Sequence, residues 1–238
     1  MNAPRRFAGN RLLAGLPEAD LALLAPSLEQ VDLPARKMLE ARGRRIDFAY
    51  FPTSGLASIV ATGGSSHAIE IGIVGNDGMT GLAVLLAADR SPHETFIQSP
   101  GAGWRIPAAD LRAAVTESAS LRDNLLRFTH TLMVQMGYTA LANGRYKLEE
   151  RLARWLLMAQ DRAVDDRVIL THEFLALMVG TRRPGVTAAI GELEKAGVIS
   201  SQRGQVTILD RHSLEEAANG SYGAAEAEYG RFFGAPPL

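Results

Sequence analysis

Two arginines stand side by side, Arg182 and Arg183, within Gly180-Thr181-Arg182-Arg183-Pro184-Gly185-Val186-Thr187. A guanidinium is a planar fork of donors that satisfies two acceptors at once, on a carboxylate, a phosphate or the O6 and N7 edge of guanine. If the pair opens a helix, the positive end of that helix's dipole adds to it, and neighbouring backbone N–H groups face the same anion. The chemistry on offer is therefore recognition of a phosphate strand or of base edges, not bond breaking. The hydroxyls of Thr171, Thr181 and Thr187, the amide of Gln202 and the guanidinium of Arg203 fall in the same stretch and join the candidate set for contact with DNA.

The elements that must hold these groups are legible around them. Thr171 is suited to cap a short helix through Met178, with Phe174, Leu175 and Met178 facing inward. Gly180 can take positive φ, and a second helix is expected from Thr181, where Pro184 is tolerated in the first turn. Ala176, Gly180 and Val186 have the spacing of a helix-turn-helix: a small residue for close approach, a glycine for the turn, a valine to plug the crossing. Val186, Ile190 and Leu193 step toward a core, which turns Arg183, Thr187 and Gly191 outward with Ala188 beside them. Gly197 then ends the helix, and Val198-Ile199, the turn Gln202 to Gln205 and Val206 to Leu209 read as a β-hairpin, a wing.

Upstream, two other patterns appear. Gln30 to Leu33, Phe48 to Phe51, Leu56 to Ala61, Ala68 to Val74, Thr95 to Gln98 and Gly103 to Ile106 are short β-type runs separated by glycine and proline, the pattern of an antiparallel β-roll. A helix is expected before it, from Leu16 to Leu24. From Leu111 to about Arg162 the period is helical. Leu121, Leu125, Phe128, Leu132, Gln135, Thr139 and Ala142 form one stripe, and Leu126, Thr129, Met133, Met136 and Ala140 another beside it. Two stripes need two partners, the roll of the same chain and the same helix of a second copy, with Gln135 available to fix register across the pair; a helix buried inside a monomer is the alternative. The residues assigned to this dimerisation helix are Leu121, Leu125, Phe128, Leu132, Gln135, Met136 and Thr139. Asn143-Gly144 is expected to break the helix and act as a hinge. The reading divides the chain into a roll over 1–116, a dimerisation helix over 117–143, a winged helix-turn-helix over 144–212 and a tail over 213–238. The fold class is α+β. For the tail, a docked helix and a frayed end both remain open.

Composition excludes much else. The chain has 238 residues, 25 basic against 26 acidic, 47% hydrophobic, with no cysteine; disulfide frameworks, thiolate metal sites and cysteine nucleophiles are out. The histidines 67, 93, 130, 172 and 212 show no metal-ligand spacing, so neither metal nor cofactor is expected. Gly-Gly-Ser-Ser at 63–66 is neither a nucleophile elbow nor a phosphate loop. The carboxylate pairs Glu149-Glu150 and Asp165-Asp166 are adjacent in sequence and point apart, so an enzyme is not expected. The longest apolar run, Met79 to Ala88, is about half the roughly 20 residues a bilayer needs, and no signal-peptide core follows the basic start. The location expected is cytoplasmic, without a membrane partner.

On these residues the chain resembles the Crp/Fnr family of bacterial transcription regulators from about Leu12 to Leu209, most specifically over Gly180 to Thr187 and on through Leu193-Glu194-Lys195-Ala196-Gly197-Val198-Ile199. The resemblance implies a homodimer that binds double-stranded DNA, with RNA polymerase as a further partner and an effector small molecule of unknown identity. The family places a base-reading arginine early in the recognition helix, where Arg183 falls; its next residue, a glutamate, is Pro184 here, and its second reading arginine falls near Ala188. Members that bind cyclic nucleotides carry a Gly-Glu-x-Leu turn and an Arg-Ser/Thr-Ala segment. The matching stretches, Asp77 to Leu82 and Pro92 to Phe96, lack both the acid and the arginine, so cyclic AMP is not expected to bind in the usual way. The candidate effector pocket comprises Gly78, Met79, Thr80, Gly81, Leu82, His93, Glu94 and Thr95. The alternative function is a signalling module whose roll binds a ligand or protein and whose winged helix contacts protein. The mechanism expected is a population shift in which an event at the roll re-packs the long helix and rotates the C-terminal domains.

Overall fold

Alternation of apolar residues between turn-forming glycines and prolines does build an antiparallel roll. A computed structural model describes residues 7–63, 67–163, 167–169, 172–202 and 204–234. Two compact units make up the chain, one of Met1–Ile59 with Val74–Leu132 and one of Val60–Ile73 with Met133–Leu238. The division falls within the long helix, between Leu132 and Met133.

The first unit opens with helices α1 (Arg11–Ala14) and α2 (Glu18–Leu24). Pro17 is the N-cap of α2, so that helix starts two residues later than its apolar spacing suggests. Asn10 is fully buried: its Oδ1 accepts from Leu13 N–H (3.0 Å) and its Nδ2 donates to the carbonyls of Pro52 (2.7 Å) and Gly78 (2.9 Å), which ties α1 to the roll. The strands are β1 (Glu29–Leu33), β2 (Met38–Glu40), β3 (Phe48–Pro52), β4 (Leu56–Gly63), β5 (His67–Val74), β6 (Glu94–Ser99) and β7 (Gly101–Pro107), with the short helix α3 (Leu82–Leu85) between β5 and β6. They form two sheets, ordered β1-β7-β3 and β2-β6-β4-β5. Glu29 lies opposite Arg105 in the first, and the two form an ion pair at 2.7 Å. Strand β2 and helices α1 and α3 had no clear signal in the sequence pattern.

Helix α4 (Ala108–Glu117) and the 27-residue α5 (Ala119–Arg145) follow. Ser118 separates them; its hydroxyl accepts from Leu121 N–H (3.1 Å) and donates to Asp20 (2.6 Å). Leu121, Leu125, Phe128 and Leu132 are buried in their own chain, and a Cβ placed on Gly78 would sit 2.0 Å from the Phe128 ring. Leu126 (36% exposed), Met133 (62%) and Leu141 (45%) are instead open. The expected break at Asn143-Gly144 is absent: both residues are helical, and α5 ends at Arg145. Neither glycine nor asparagine stops a helix whose neighbours satisfy its carbonyls. The chain leaves the helix at Tyr146-Lys147, and α6 (Leu148–Gln160) begins with the Lys147 N–H donating to Glu150 at 2.8 Å.

In the second unit α6 is the central rod, buried without interruption from Leu152 to Ala159. Around it lie β8 (Arg167–Ile169), α7 (His172–Met178), α8 (Arg183–Lys195), β9 (Ile199–Gln202), β10 (Gln205–Ile208), α9 (Arg211–Ala217) and α10 (Ala224–Phe233). The sheet order is β8-β10-β9, so the expected hairpin gains a third strand. The tail forms two docked helices: Arg211 reaches Gln160 (2.7 Å) and Asp161 (2.9 Å), and Tyr222 O–H donates to Asp161 at 2.7 Å.

Candidate nucleic-acid interface

Two glycine-terminated helices build the site. After α7, Gly180 takes φ +62°, with Thr181 N–H donating to Ala176 O (2.8 Å) and Gly180 N–H to Leu177 O (3.4 Å). That pairing ends a helix in a left-handed residue and aims the chain into the next one. Gly197 repeats the motif after α8 (φ +72°; Val198 N–H to Leu193 O 3.1 Å, Gly197 N–H to Glu194 O 2.9 Å). The second helix starts at Arg183 rather than Thr181, because Arg182 is extended at its N-cap (φ −103°, ψ 155°) and Pro184 falls within the first turn.

Leu175, Ala176 and Met178 of α7 and Val186, Ala189, Ile190 and Leu193 of α8 are buried, so the apolar sides of the two helices are sealed inward. Arg182, Arg183, Pro184, Thr187 and Ala188 are exposed. Among the described residues neither Arg182 nor Arg183 makes an ion pair. The Thr187 hydroxyl donates back to Arg183 O at 3.1 Å. Long cationic side chains thus stand at the tip of a helix whose next outward turn is small, the shape that enters a major groove. Gln202 is exposed at the end of β9, and Gln202 and Gln205 face each other across the turn, where Gly204 has φ +80°. Ser201 N–H donates to Glu194 at 2.6 Å, which ties the wing to α8. Thr171 and Arg203 lie outside the described residues. Thr181 is half-buried at the turn.

The candidate effector segments of the roll are closely packed. Met79, Thr80 and Thr95 are almost fully buried. Thr80 N–H donates to Tyr50 O (2.9 Å) and the Thr80 hydroxyl accepts from Tyr50 N–H (3.3 Å). Gly81 N–H donates to Glu40 at 2.8 Å, and Leu82 opens α3. His93 N–H donates to the Ser91 hydroxyl at 3.1 Å; burial, and then Arg42, hold its imidazole below the usual range. Glu94 is half-buried at the start of β6.

Of the residues assigned to dimerisation, Gln135 is bound within its chain: Oε1 accepts from Ile73 N–H (2.8 Å) and Nε2 donates to Ile73 O (3.3 Å). Met136 and Thr139 are half-buried, and the Thr139 hydroxyl donates to Gln135 O at 2.9 Å. The apolar face left open on α5 is that of Leu126, Met133 and Leu141. No helix among the described residues is long and apolar enough to cross a membrane.

The described elements are thus a β-roll, a long helix and a winged helix-turn-helix with an exposed arginine tip. Residues 150–217 match the Crp-like helix-turn-helix domain family. The transcriptional regulator SdrP of Thermus thermophilus is 37% identical over 78 residues, 30% of this chain and 39% of that protein, so the match spans about two fifths of SdrP. A transcriptional regulator of the Crp/Fnr family from Eubacterium rectale superposes with a TM-score of 0.68 at 18% identity, covering 90% of this chain and 100% of that one. FixK2 from Bradyrhizobium japonicum gives a TM-score of 0.70 at 15% identity, covering 80% and 96%. The chain thus shares its fold with these solved regulators, and its residues 150–217 match a Crp-like helix-turn-helix domain.

Proposed function

We propose that the chain acts as a homodimer that reads a two-fold related DNA site, with one α8 in each of two successive major grooves about 34 Å apart. The observation that carries this is the Arg182-Arg183 tip: exposed, without an ion pair among the described residues, and backed by small side chains. Arg183 is the base reader and Arg182 the phosphate contact, with Thr181, Thr187, Gln202, Thr171 and Arg203 supporting the strand contacts. Leu126, Met133 and Leu141 form the seam with the second copy, since an apolar helical face of this kind finds its match in its own symmetry mate. The roll is the sensing half and does not take cyclic AMP in the usual way, because neither the ribose-holding acid nor the phosphate-pairing arginine of the nucleotide-binding members is in place. Signal passes as a population shift through α5, with the break at Tyr146-Lys147 as the hinge.

Binding-site selection from a random duplex pool tests this reading. Enrichment of an inverted repeat with half-sites one helical turn apart is expected. Recovery of no sequence over the starting pool, at a salt concentration where non-specific binding is weak, overturns it and leaves the winged helix to a protein contact.

A further inference from the structure

The turn between α9 and α10 lies along α6 as a strap. Its course is set locally: Asn219 has φ +50° and Gly220 φ +76°, left-handed positions that asparagine and glycine hold at least cost, and the Asn219 N–H donates to Glu216 O at 2.9 Å, so α9 stops and the chain doubles back. The strap then grips α6 and its C-cap three times. The Asn219 amide donates to Glu150 Oε1 (2.9 Å), the Ser221 carbonyl accepts from Arg154 Nε (3.0 Å) and the Tyr222 hydroxyl donates to Asp161 (2.7 Å). At 3.6 residues per turn, positions 150, 154 and 161 fall within about 40° of one another, so one side of the rod takes all three. Ser221 and Arg154 are buried, which keeps the middle grip away from water, whereas Asn219 is exposed and its contact can be removed with the strap still docked. That outer contact is also the one that reaches the hinge. Glu150 divides its carboxylate: Oε2 accepts the Lys147 N–H (2.8 Å), where the chain leaves α5, and Oε1 accepts from the strap. With both oxygens held, the carboxylate ties the exit at Tyr146-Lys147 to a segment that begins beyond residue 217, where the match to the helix-turn-helix family ends.

We propose that Asn219 is a positioning residue for DNA recognition: through Glu150 it stiffens the exit at Tyr146-Lys147, and so sets how strictly the two half-sites must be spaced. This rests on the reading of the chain as a homodimer that binds a two-fold related site. One added base pair moves a half-site by about 3.4 Å and turns it by about 35°; a stiff hinge resists that change and a slack one follows it. Asn219→Gly removes the amide and keeps the left-handed backbone without strain. Asn219→Asp keeps the shape but sets carboxylate against carboxylate, and adding Glu150→Gln reverses the polarity of the bond, since the new amide donates to the new carboxylate while its oxygen still accepts the Lys147 N–H. Affinity of the full chain is measured at neutral pH for the selected duplex, for that duplex with one base pair inserted between the half-sites, and for a single half-site. Wild type should reject the insertion by roughly tenfold or more. Each single variant should cut that rejection by about threefold or more, Asn219→Gly should leave half-site affinity within about twofold, and the double variant should return to about the wild-type ratio. Without DNA, hydrogen exchange at the Lys147 amide should run about threefold faster or more in the single variants and slow again in the double one. A wild type that accepts the insertion, single variants with an unchanged ratio, or a double variant no better than Asn219→Asp overturns the proposal. A loss shared equally by half-site and full duplexes makes the strap a stabilising contact only and overturns it too. Exchange at Lys147 needs no DNA: a chain that selects no duplex refutes the regulator and the spacing role with it, whereas a Lys147 amide indifferent to Asn219 refutes the strap alone.

Discussion

Gln135→Met separates two roles for the same side chain. Gln135 is 4% exposed, and its amide meets both backbone groups of Ile73, at 2.8 Å and 3.3 Å, as a neighbouring strand would. Strand β5 ends its sheet, and edge backbone groups left unpaired in a buried place are costly. Methionine keeps the length and volume but answers neither group. Each unsatisfied buried partner costs about 1–3 kcal/mol, with the 3.3 Å bond at the low end, and the added apolar burial returns about 1 kcal/mol, so a net loss of roughly 2–3 kcal/mol is expected. Urea unfolding followed by far-ultraviolet circular dichroism should give this difference at low and high chain concentration alike, with an unchanged slope. Sedimentation equilibrium of the folded variant should give the wild-type dimer constant. A loss below about 1 kcal/mol, or a Met variant with tighter dimers, as expected of a polar group removed from an intersubunit seam, would refute the in-chain pairing.

Arg183→Ala should cost about 1–3 kcal/mol of discrimination at one base pair of the selected site, whereas Arg182→Ala should weaken all duplexes alike and flatten the salt dependence by about one unit; titration against single-base operator variants at several salt concentrations separates the two. Met133→Glu should dissociate dimers, seen by ultracentrifugation, and leave the unfolding midpoint of the isolated chain within about 0.5 kcal/mol of wild type, while Leu132→Asp, which charges a buried position, should unfold it. The Glu150 carboxyl is held below its usual range by the Lys147 N–H and by Asn219. A depressed carboxyl stabilises above the unfolded value and loses that contribution as pH falls through the folded one, so Glu150→Gln should flatten the acid limb of the stability curve at and below the ordinary value of 4.5 and change little at neutral pH.

The recognition unit was legible because each of its parts carries a local signal: Gly180 and Gly197 for helix ends, Val186, Ile190 and Leu193 for the inward face, Arg183 and Thr187 for the outward one. Most of the roll strands were legible from alternation between turns. What misled was reading single residues without their neighbours. Asn143-Gly144 looks like a stop, yet a helix already propagating tolerates both at about 1 kcal/mol, and the real exit is set by Lys147 and Glu150 a turn later. Gln135 among leucines looks like a dimer device, but its partner is the backbone of Ile73, which no side-chain pattern marks. The β8 strand is three residues long, and the tail helices α9 and α10 are specified by partners far away in sequence, Gln160, Asp161 and Glu150.

Arg154 shows how those long-range partners bear on function. A guanidinium in the middle of the buried stretch of α6 is expensive, and burial lowers its basicity despite nearby Glu226 and Glu70. It stays because both ends of the second unit need it: Nε donates to Ser221 O in the tail (3.0 Å) and Nη2 to Gln135 O on α5 (3.4 Å). The adjacent Trp155 donates to Glu70 on β5 at 2.6 Å, three residues from the Ile73 held by Gln135. Two neighbouring positions of α6 therefore grip the outer part of β5, the last turns of α5 and the tail at once. The same rod packs against α8. Under the population-shift reading, that makes α6 the rigid member and Tyr146-Lys147 the yielding one, and it gives the C-terminal helices a mechanical part in setting how the arginine tips are presented.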